Sequence, residues 1–273
     1  MPGIPGATIR SVPSLPSTLS GAVHVGPHSQ ARPGALLRVV PRVARFLVTS
    51  GTVVEVAADA QADPGEIQSF LLGGVRGALI HQRGELPLHA ATLVPPGAPF
   101  AVAIAGESGM GKSTLAAQLA LRGWSLLADD LTRITYAGSQ LIAWPGGTAI
   151  KLTPDAVRRL GVDSTVLSPV CAGIDKSHLQ VSALDRPLVL RWVISLHREC
   201  VPESRLLTLN EALAVVIEQT FRRHYIRALG VEQQHLAMAL QVAAACRCAT
   251  LSGYRGVKAA ADLLEGIVGD TTS

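Results

Sequence analysis

The spacing of apolar and polar positions predicts a small β region at the start of the chain. Three runs rich in Val and Leu predict strands, at residues 35–40, 44–49 and 52–57. Ser50-Gly51 predicts a tight hairpin turn between the last two runs. Residues 1 to about 35 are rich in Pro, Gly and Ser, which predicts a loosely ordered segment with one short strand near residues 22–25.

Beyond residue 62, apolar runs of strand length alternate with helical patterns. A helix is predicted to begin at Asp63-Pro64. Further strands are predicted at residues 86–94, 100–105, 124–128 and 188–196. Further helices are predicted at residues 113–122, 210–229, 232–245 and 258–267, with one more opening at Thr153-Pro154. This alternation predicts an α/β fold, with an N-terminal region over residues 1–62 and a second domain over residues 63–273.

Composition narrows the class of protein. Of the 273 residues, 48% are hydrophobic and only 16% are charged, which favours a globular chain over a disordered one. Aromatic residues make up 4%, too few for the stacking surfaces that bind single-stranded nucleic acid, and no nucleic-acid partner is expected. The net charge is +4, and one dense basic cluster occurs, at Arg222, Arg223, His224 and Arg227. It is interpreted as a solvated helix face or, alternatively, as a site for phosphate or an acidic peptide.

The apolar stretches are too short and too interrupted to cross a membrane. Arg76 breaks the stretch at residues 70–80, and Gln241 breaks the stretch at residues 236–246. No basic segment followed by an apolar run marks a signal peptide at the N-terminus. We therefore expect a cytoplasmic protein without a membrane partner.

One segment carries a phosphate-binding motif. Residues 106–113 read Gly-Glu-Ser-Gly-Met-Gly-Lys-Ser and fit G-x-x-x-x-G-K-[ST] at every fixed position. The motif directly follows an apolar strand and precedes a helix, which is the context that supports it over a chance glycine-rich turn. Main-chain amides, Lys112 and the helix N-terminus are expected to hold nucleotide phosphates, and Ser113 is expected to ligate Mg²⁺. The predicted nucleotide-binding residues are Gly106, Glu107, Ser108, Gly109, Met110, Gly111, Lys112, Ser113 and Thr114.

Two carboxylates follow the strand predicted at residues 124–128. Ligands of α/β sheets bind at the carboxyl ends of the strands, so Asp129 and Asp130 are expected near the phosphates if the two strands are close neighbours. One could bind Mg²⁺ through water and the other could accept a proton from an acceptor hydroxyl. A turn carrying two structural aspartates is the alternative.

His89 is a third candidate. A turn centred on Gly97 would pair the flanking strands antiparallel and set His89 opposite about Ala105, next to the first glycine of the motif. A histidine in an apolar strand is otherwise most often a satisfied core residue.

These residues resemble the HPr kinase/phosphorylase family. Leu88-His89-Ala90 is similar to its histidine-bearing strand, residues 106–114 to its phosphate loop, and Leu127-Ala128-Asp129-Asp130 to its Val-Ala-Asp-Asp element. The resemblance implies a P-loop kinase core of HPr-kinase type that uses ATP and Mg²⁺. It assigns the proton acceptor to Asp130, the catalytic histidine to His89 and the Mg²⁺-binding serine to Ser113, with Asp129 beside them. It also makes a homo-oligomer plausible.

The resemblance is incomplete elsewhere. The Gly-Arg-Asn element that carries the family's catalytic arginine is not present, and Arg222 is the substitute candidate. The family's metal-ligating glutamate is missing from the segment that reads Ala156-Val157-Arg158-Arg159-Leu160-Gly161, so the adjacent Asp155 is the candidate ligand.

Three functions remain open from the sequence. The front segment and Ile150-Lys151-Leu152 are similar to a divergent branch whose kinases tailor ribosomal peptides, lasso peptides in particular. This resemblance implies a serine kinase that acts on a peptide or small protein, most directly a lasso precursor. The alternatives are an HPr kinase/phosphorylase that regulates sugar transport and an ATP-binding regulatory protein without chemistry.

Overall fold

The structure, a computed structural model, describes residues 6–171, 175–197, 203–253 and 255–269. Its strands are short, and in chain order they are β1 (Thr8–Ser11), β2 (Val23–His24), β3 (Ser29–Arg32), β4 (Ala35–Val40), β5 (Ala44–Thr49), β6 (Val53–Ala58), β7 (Leu86–Leu88), β8 (Ala90–Val94), β9 (Phe100–Ala105), β10 (Ser125–Ala128), β11 (Thr132–Ala137), β12 (Gln140–Trp144), β13 (Ala149–Leu152), β14 (Leu167–Pro169), β15 (Ser177–Gln180), β16 (Leu188–Leu196), β17 (Glu203–Leu206) and β18 (Arg247–Ser252).

The helices are α1 (Pro64–Phe70), α2 (Arg76–Gln82), α3 (Lys112–Leu121), α4 (Pro154–Leu160), α5 (Leu209–Glu218), α6 (Tyr225–Leu229), α7 (Glu232–Ala245) and α8 (Val257–Gly269). A π-helical turn at Leu71–Val75 connects α1 to α2. None of these helices has the length and apolar character needed to span a bilayer. The secondary structure confirms the predicted α/β class.

The chain divides into two compact units, each built from two separate segments. The first comprises residues 1–87 and 221–238, and the second comprises residues 88–220 and 239–273. The domain boundary predicted after residue 62 stays a prediction. The hydrophobic core crosses that position, because side chains of α1 and α2 pack with the N-terminal strands.

The first unit is a six-stranded sheet with helices on its buried face. Its order is β1-β6-β5-β4-β3-β2, and β1 pairs with β6 in parallel while the other pairs are antiparallel. Along β5, buried and partly exposed side chains alternate, as expected of a sheet with one covered face. Phe46 and Val48 pack there with Leu71, Leu79 and Tyr225. Asp63 caps α1 by accepting hydrogen bonds from the first-turn amides, as predicted.

The second unit contains a mixed sheet with the order β10-β8-β9-β16-β12-β11. β9 and β16 run parallel, whereas β8 runs antiparallel to both of its neighbours, β9 and β10. β18 lies beside β16 in parallel, and β17 pairs with β18. Every residue of β8 and β9 is buried, which explains their continuous apolar sequences. A separate three-stranded sheet has the order β13-β15-β14.

Several predicted elements differ from the structure. The single helix predicted over residues 210–229 is wrong, because α5 ends at Glu218 and Arg222 has a positive φ of 53° before α6 begins. The strand predicted over residues 86–94 is two strands, β7 and β8, with His89 between them. β2 confirms the short strand predicted near residues 22–25, whereas β1 and β3 lie in the part predicted to be loosely ordered.

Candidate functional site

The strand order of the second unit gathers the predicted site residues at one sheet edge. β8 lies between β9 and β10 and runs opposite to them, so β8 starts at the edge where β9 and β10 end. His89 immediately precedes β8, the glycine-rich loop follows β9, and Asp129 follows β10. Ala90 pairs with Ala105, so the register is one residue from the one predicted for His89. The two parallel strands are therefore near each other but are separated by β8.

Two glycines set the path of the glycine-rich loop that follows β9. Gly106 has a φ of 146°, and a Cβ atom there would lie 3.1 Å from the carbonyl oxygen of Leu196 in β16. Gly111 is the N-cap of α3 and has a φ of 93°. Both positions require glycine, one for close backbone approach and one for a left-handed turn. The first turn of α3 then directs its amides toward the loop.

Lys112 is buried at the start of α3, and its ammonium is held by the loop itself. Its Nζ donates to the carbonyl oxygens of Gly106, at 2.6 Å, and Glu107, at 3.0 Å. Burial lowers the pKa of Lys112, and the nearby carboxylates of Asp130 and Asp129 oppose that shift. The arrangement keeps a positive charge at the mouth of the loop, where an anionic ligand would compete with the two carbonyls.

His89 and Asp130 are in direct contact. Nδ1 of His89 lies 2.9 Å from the Asp130 carbonyl oxygen and 3.3 Å from Oδ1 of the same residue. A carbonyl oxygen can only accept, so Nδ1 carries a proton and donates it. Burial first, and then the charge of Lys112, lower the pKa of His89. Asp130 has a φ of 69°, an uncommon conformation for a non-glycine residue, and its carboxylate is 48% exposed.

Asp129 points in a different direction from Asp130. Its Oδ2 accepts the main-chain N–H of Lys151 at 2.9 Å, and its Oδ1 accepts the Ser113 hydroxyl at 3.4 Å. Burial raises the pKa of Asp129 to about 6, with Asp130 adding to the shift. A buried carboxylate of this kind is stabilised in its charged form by a cation.

The residues present fit a magnesium ion. Mg²⁺ binds oxygen ligands at about 2.1 Å, so two ligands 3.4 Å apart can share one ion. Ser113 and Asp129 would therefore hold it, with phosphate and water oxygens as the remaining ligands. Among the described residues, no group of three or more His, Cys, Asp or Glu side chains could form a metal cage by itself.

A cavity of about 390 Å³ unites most of these side chains. It is lined by His89, Ser108, Gly109, Gly111, Lys112, Ser113, Thr114, Asp130, Lys151, Thr153, Asp155, Ala156, Arg159 and Lys176. Asp155 is at the rim, where it forms ion pairs with Arg159 at 2.7 Å and Arg158 at 3.4 Å. Its predicted role as a metal ligand is untested, and these arginines compete for its oxygens.

A second cavity, of about 730 Å³, borders the same loop. Gly109, Gly111, Thr114 and Arg159 line both cavities, so an elongated ligand can extend from one to the other. The second cavity also contains apolar walls from Met110, Leu115, Val257 and Ala260. This combination suits a ligand with a charged end and a flat apolar end.

Arg222 and the other candidate residues belong to different compact units. Arg222 belongs to the first unit, whereas the loop, His89 and the two aspartates belong to the second. Its guanidinium lies 5.6 Å from the ring centroid of Phe221. The catalytic role predicted for Arg222 stays a prediction.

Five residues that line the smaller cavity were not selected as site residues from the sequence: Lys151, Thr153, Ala156, Arg159 and Lys176. None belongs to the phosphate-loop motif, and none follows a predicted strand end. A usable signal was present in the composition, because lysine occurs only four times in the chain.

Comparisons with known proteins give one partial sequence match. No family model matches the chain. It is 38% identical over 85 residues to an HPr kinase/phosphorylase of an Exiguobacterium species, a match that covers 30% of this chain and 26% of the relative. The chain thus spans about a quarter of that relative's length. This match confirms the resemblance to the HPr kinase/phosphorylase family and does not bear on the lasso-peptide branch.

Among solved structures, the HPr(Ser) kinase/phosphatase from Coxiella burnetii is similar to the chain. The sequence identity is 18% and the TM-score is 0.37, with 68% of this chain and 95% of that chain covered.

Proposed function

We propose that the protein is an ATP-dependent serine kinase with a P-loop core of HPr-kinase type. The observation that carries this proposal is the single cavity that brings Lys112 and Ser113 of the loop together with Asp130 and His89. A phosphate cradle beside an exposed carboxylate is the arrangement that phosphoryl transfer to a hydroxyl requires. The partial match to an HPr kinase/phosphorylase supports the same chemistry.

The proposed reaction is an in-line displacement. Main-chain amides of residues 109–113 and the Lys112 ammonium bind the β- and γ-phosphates of ATP, and the larger cavity receives the nucleoside. Asp130 accepts the proton of a serine hydroxyl while its oxygen bonds to the γ-phosphorus and the bond to the bridging oxygen breaks, releasing ADP. His89 holds the turn of Asp130 through its Nδ1 hydrogen bond. A magnesium ion on Ser113 and Asp129 would neutralise charge on the phosphates.

The acceptor we propose is a serine of a peptide or small protein, most directly a lasso-peptide precursor. An HPr-like phosphocarrier is the second candidate, favoured by the name of the curated relative. A cytoplasmic location and a homo-oligomeric state belong to the same proposal. No nucleic-acid or membrane partner is part of it.

The decisive experiment incubates the protein and MgATP separately with a lasso precursor peptide and with HPr, and follows phosphorylated serine by mass spectrometry. We expect transfer to the precursor and none after Lys112→Ala, since that variant lacks the phosphate-binding ammonium. Transfer to HPr alone would identify the second candidate. Tight ATP binding without transfer to either would favour a regulatory protein, and undiminished transfer by Lys112→Ala would refute the proposed site.

A further inference from the structure

Lysine is rare in this chain, and its positions are concentrated. Of the 24 basic residues only four are lysines, at positions 112, 151, 176 and 258, and the others are arginines. Three of the four lysines line the smaller cavity, and the fourth lies in α8. A chain that uses arginine almost everywhere else therefore places its lysines around one site.

The three-stranded sheet sets the backbone positions of Lys151 and Lys176. Lys151 pairs with His178 across β13 and β15, and Lys176 immediately precedes β15. The main-chain N–H of Lys151 donates to Oδ2 of Asp129 at 2.9 Å. The sheet thus approaches the end of β10 and presents both lysine side chains to the cavity from outside the phosphate loop.

The charges around the cavity indicate what these lysines bind. Arg159 is paired with Asp155 at 2.7 Å, so that pair is close to neutral. Three lysines then remain beside two carboxylates: Asp130 lines the cavity with them, and Asp129 interacts electrostatically with them from behind it. A magnesium–triphosphate carries a net charge of about −2, which more than uses up the remaining positive charge. Once the nucleotide is bound, the cavity therefore has no positive charge left to attract an acidic acceptor.

We propose that Lys151 and Lys176 are catalytic residues that bind the γ-phosphoryl group and neutralise the charge on its oxygens during transfer. This inference rests on the proposed phosphoryl transfer. The charge in such a reaction is spread over three equatorial oxygens, and a cation outside the loop stabilises it strongly. Lysine suits the task, because a compact ammonium on a flexible stem can follow a group that moves from donor to acceptor.

Nucleotide binding tests the inference without an acceptor. Dissociation constants for Mg·ADP and for Mg·AMP-PNP are measured by calorimetry on the wild-type chain, Lys151→Met, Lys176→Met and the matched control Lys258→Met. We expect both cavity variants to bind Mg·AMP-PNP about tenfold more weakly while Mg·ADP affinity stays within about twofold, because only AMP-PNP carries a γ-phosphate. Lys258→Met is expected to match the wild type with both nucleotides.

Other outcomes overturn the inference in distinguishable ways. One such outcome is that Lys112→Ala weakens the binding of both nucleotides while Lys151→Met and Lys176→Met bind them as Lys258→Met does. In that case the inference fails and the proposed function stands. An equal loss of affinity for Mg·ADP and Mg·AMP-PNP in the cavity variants would also refute it, since the lysines would then not be specific for the γ-phosphate. If the wild-type chain binds neither nucleotide, both proposals fail. Lys151→Gln, which keeps a polar side chain, and thermal melting of every variant separate a folding defect from lost contacts.

Discussion

At the scale of single residues, the site separates the roles of two adjacent carboxylates. Asp129 turns inward to the Ser113 hydroxyl and a main-chain amide, whereas Asp130 turns outward to the cavity beside His89. The backbone at Asp130 is left-handed, with a φ of 69°. Asp129 is thus placed to bind a cation, and Asp130 is placed to accept a proton.

Asp130→Asn tests this division directly. The amide cannot accept a proton, so we expect phosphorylation turnover to fall by about 10²–10⁴-fold, while MgATP binds at least as tightly because the change removes a negative charge from the cavity. Steady-state kinetics and calorimetry measure the two quantities. The control is Asp185→Asn, an exposed aspartate of the same compact unit. A loss of nucleotide affinity equal to the loss of turnover would contradict the assignment.

The sequence predicted that the loop and the two aspartates lie near one another, because the signals for both are local. A phosphate loop needs glycines and a lysine at fixed spacing, and the aspartates directly follow an apolar strand. Lys176 has neither advantage: it reaches the cavity only because β15 pairs with β13. Long-range pairing of short strands has no counterpart in local spacing, so this part of the site could not be predicted.

At the scale of secondary-structure elements, α2 carries a buried histidine that makes the first unit sensitive to acid. His81 is 1% exposed, and its Nε2 lies 2.8 Å from the carbonyl oxygen of Phe221, to which it donates. Its Nδ1 has no hydrogen-bond partner in the described part of the chain. Burial lowers the pKa of His81 to about 4, and the nearby His235 and His224 act in the same direction.

This lowered pKa predicts a loss of stability on acidification. Below a pH of about 6.5 the unfolded chain binds a proton at this position that the folded chain does not bind until about pH 4. We expect the free energy of unfolding to fall by about 3 kcal/mol between those pH values because of His81. Urea denaturation of the wild type, His81→Gln and the exposed-site control His28→Gln measures it. If the free energy of unfolding of His81→Gln falls with pH as steeply as that of the wild type, other groups cause the loss.

Element boundaries were predicted best where capping residues mark them. Asp63 and Thr153 both cap helices at the predicted positions. The helix predicted over residues 210–229 failed because its apolar spacing continues through the break. At the break, the Gln219 carbonyl oxygen accepts a main-chain hydrogen bond from His89 at 2.7 Å, a tertiary contact between distant residues. A local pattern does not contain that contact.

At the scale of the whole molecule, each compact unit depends on residues far apart in the chain. Tyr225 and Leu229 of α6 are buried in the core formed with the N-terminal strands. The Tyr225 hydroxyl lies 3.4 Å from Nη1 of Arg38 and 3.5 Å from Oγ of Ser29. A boundary drawn along the sequence, as after residue 62, does not describe such a core.

Tyr225→Ala is expected to destabilise the first unit by about 3–5 kcal/mol, because it removes a fully buried ring and leaves Arg38 with fewer partners. Tyr136→Ala, which removes a ring that is 44% exposed, is expected to cost about 1 kcal/mol or less. Chemical denaturation followed by circular dichroism compares the two. Equal effects would mean that α6 contributes little to the folded core.

The placement of lysines around a single cavity has a chemical consequence. Acylating and carbonyl reagents modify primary amines, and three of the four lysines line the smaller cavity. Modification of this chain by metabolic acyl donors would therefore fall largely on the surface that the proposed nucleotide would cover. A bound nucleotide would then prevent acylation of these lysines, and acylation would prevent nucleotide binding.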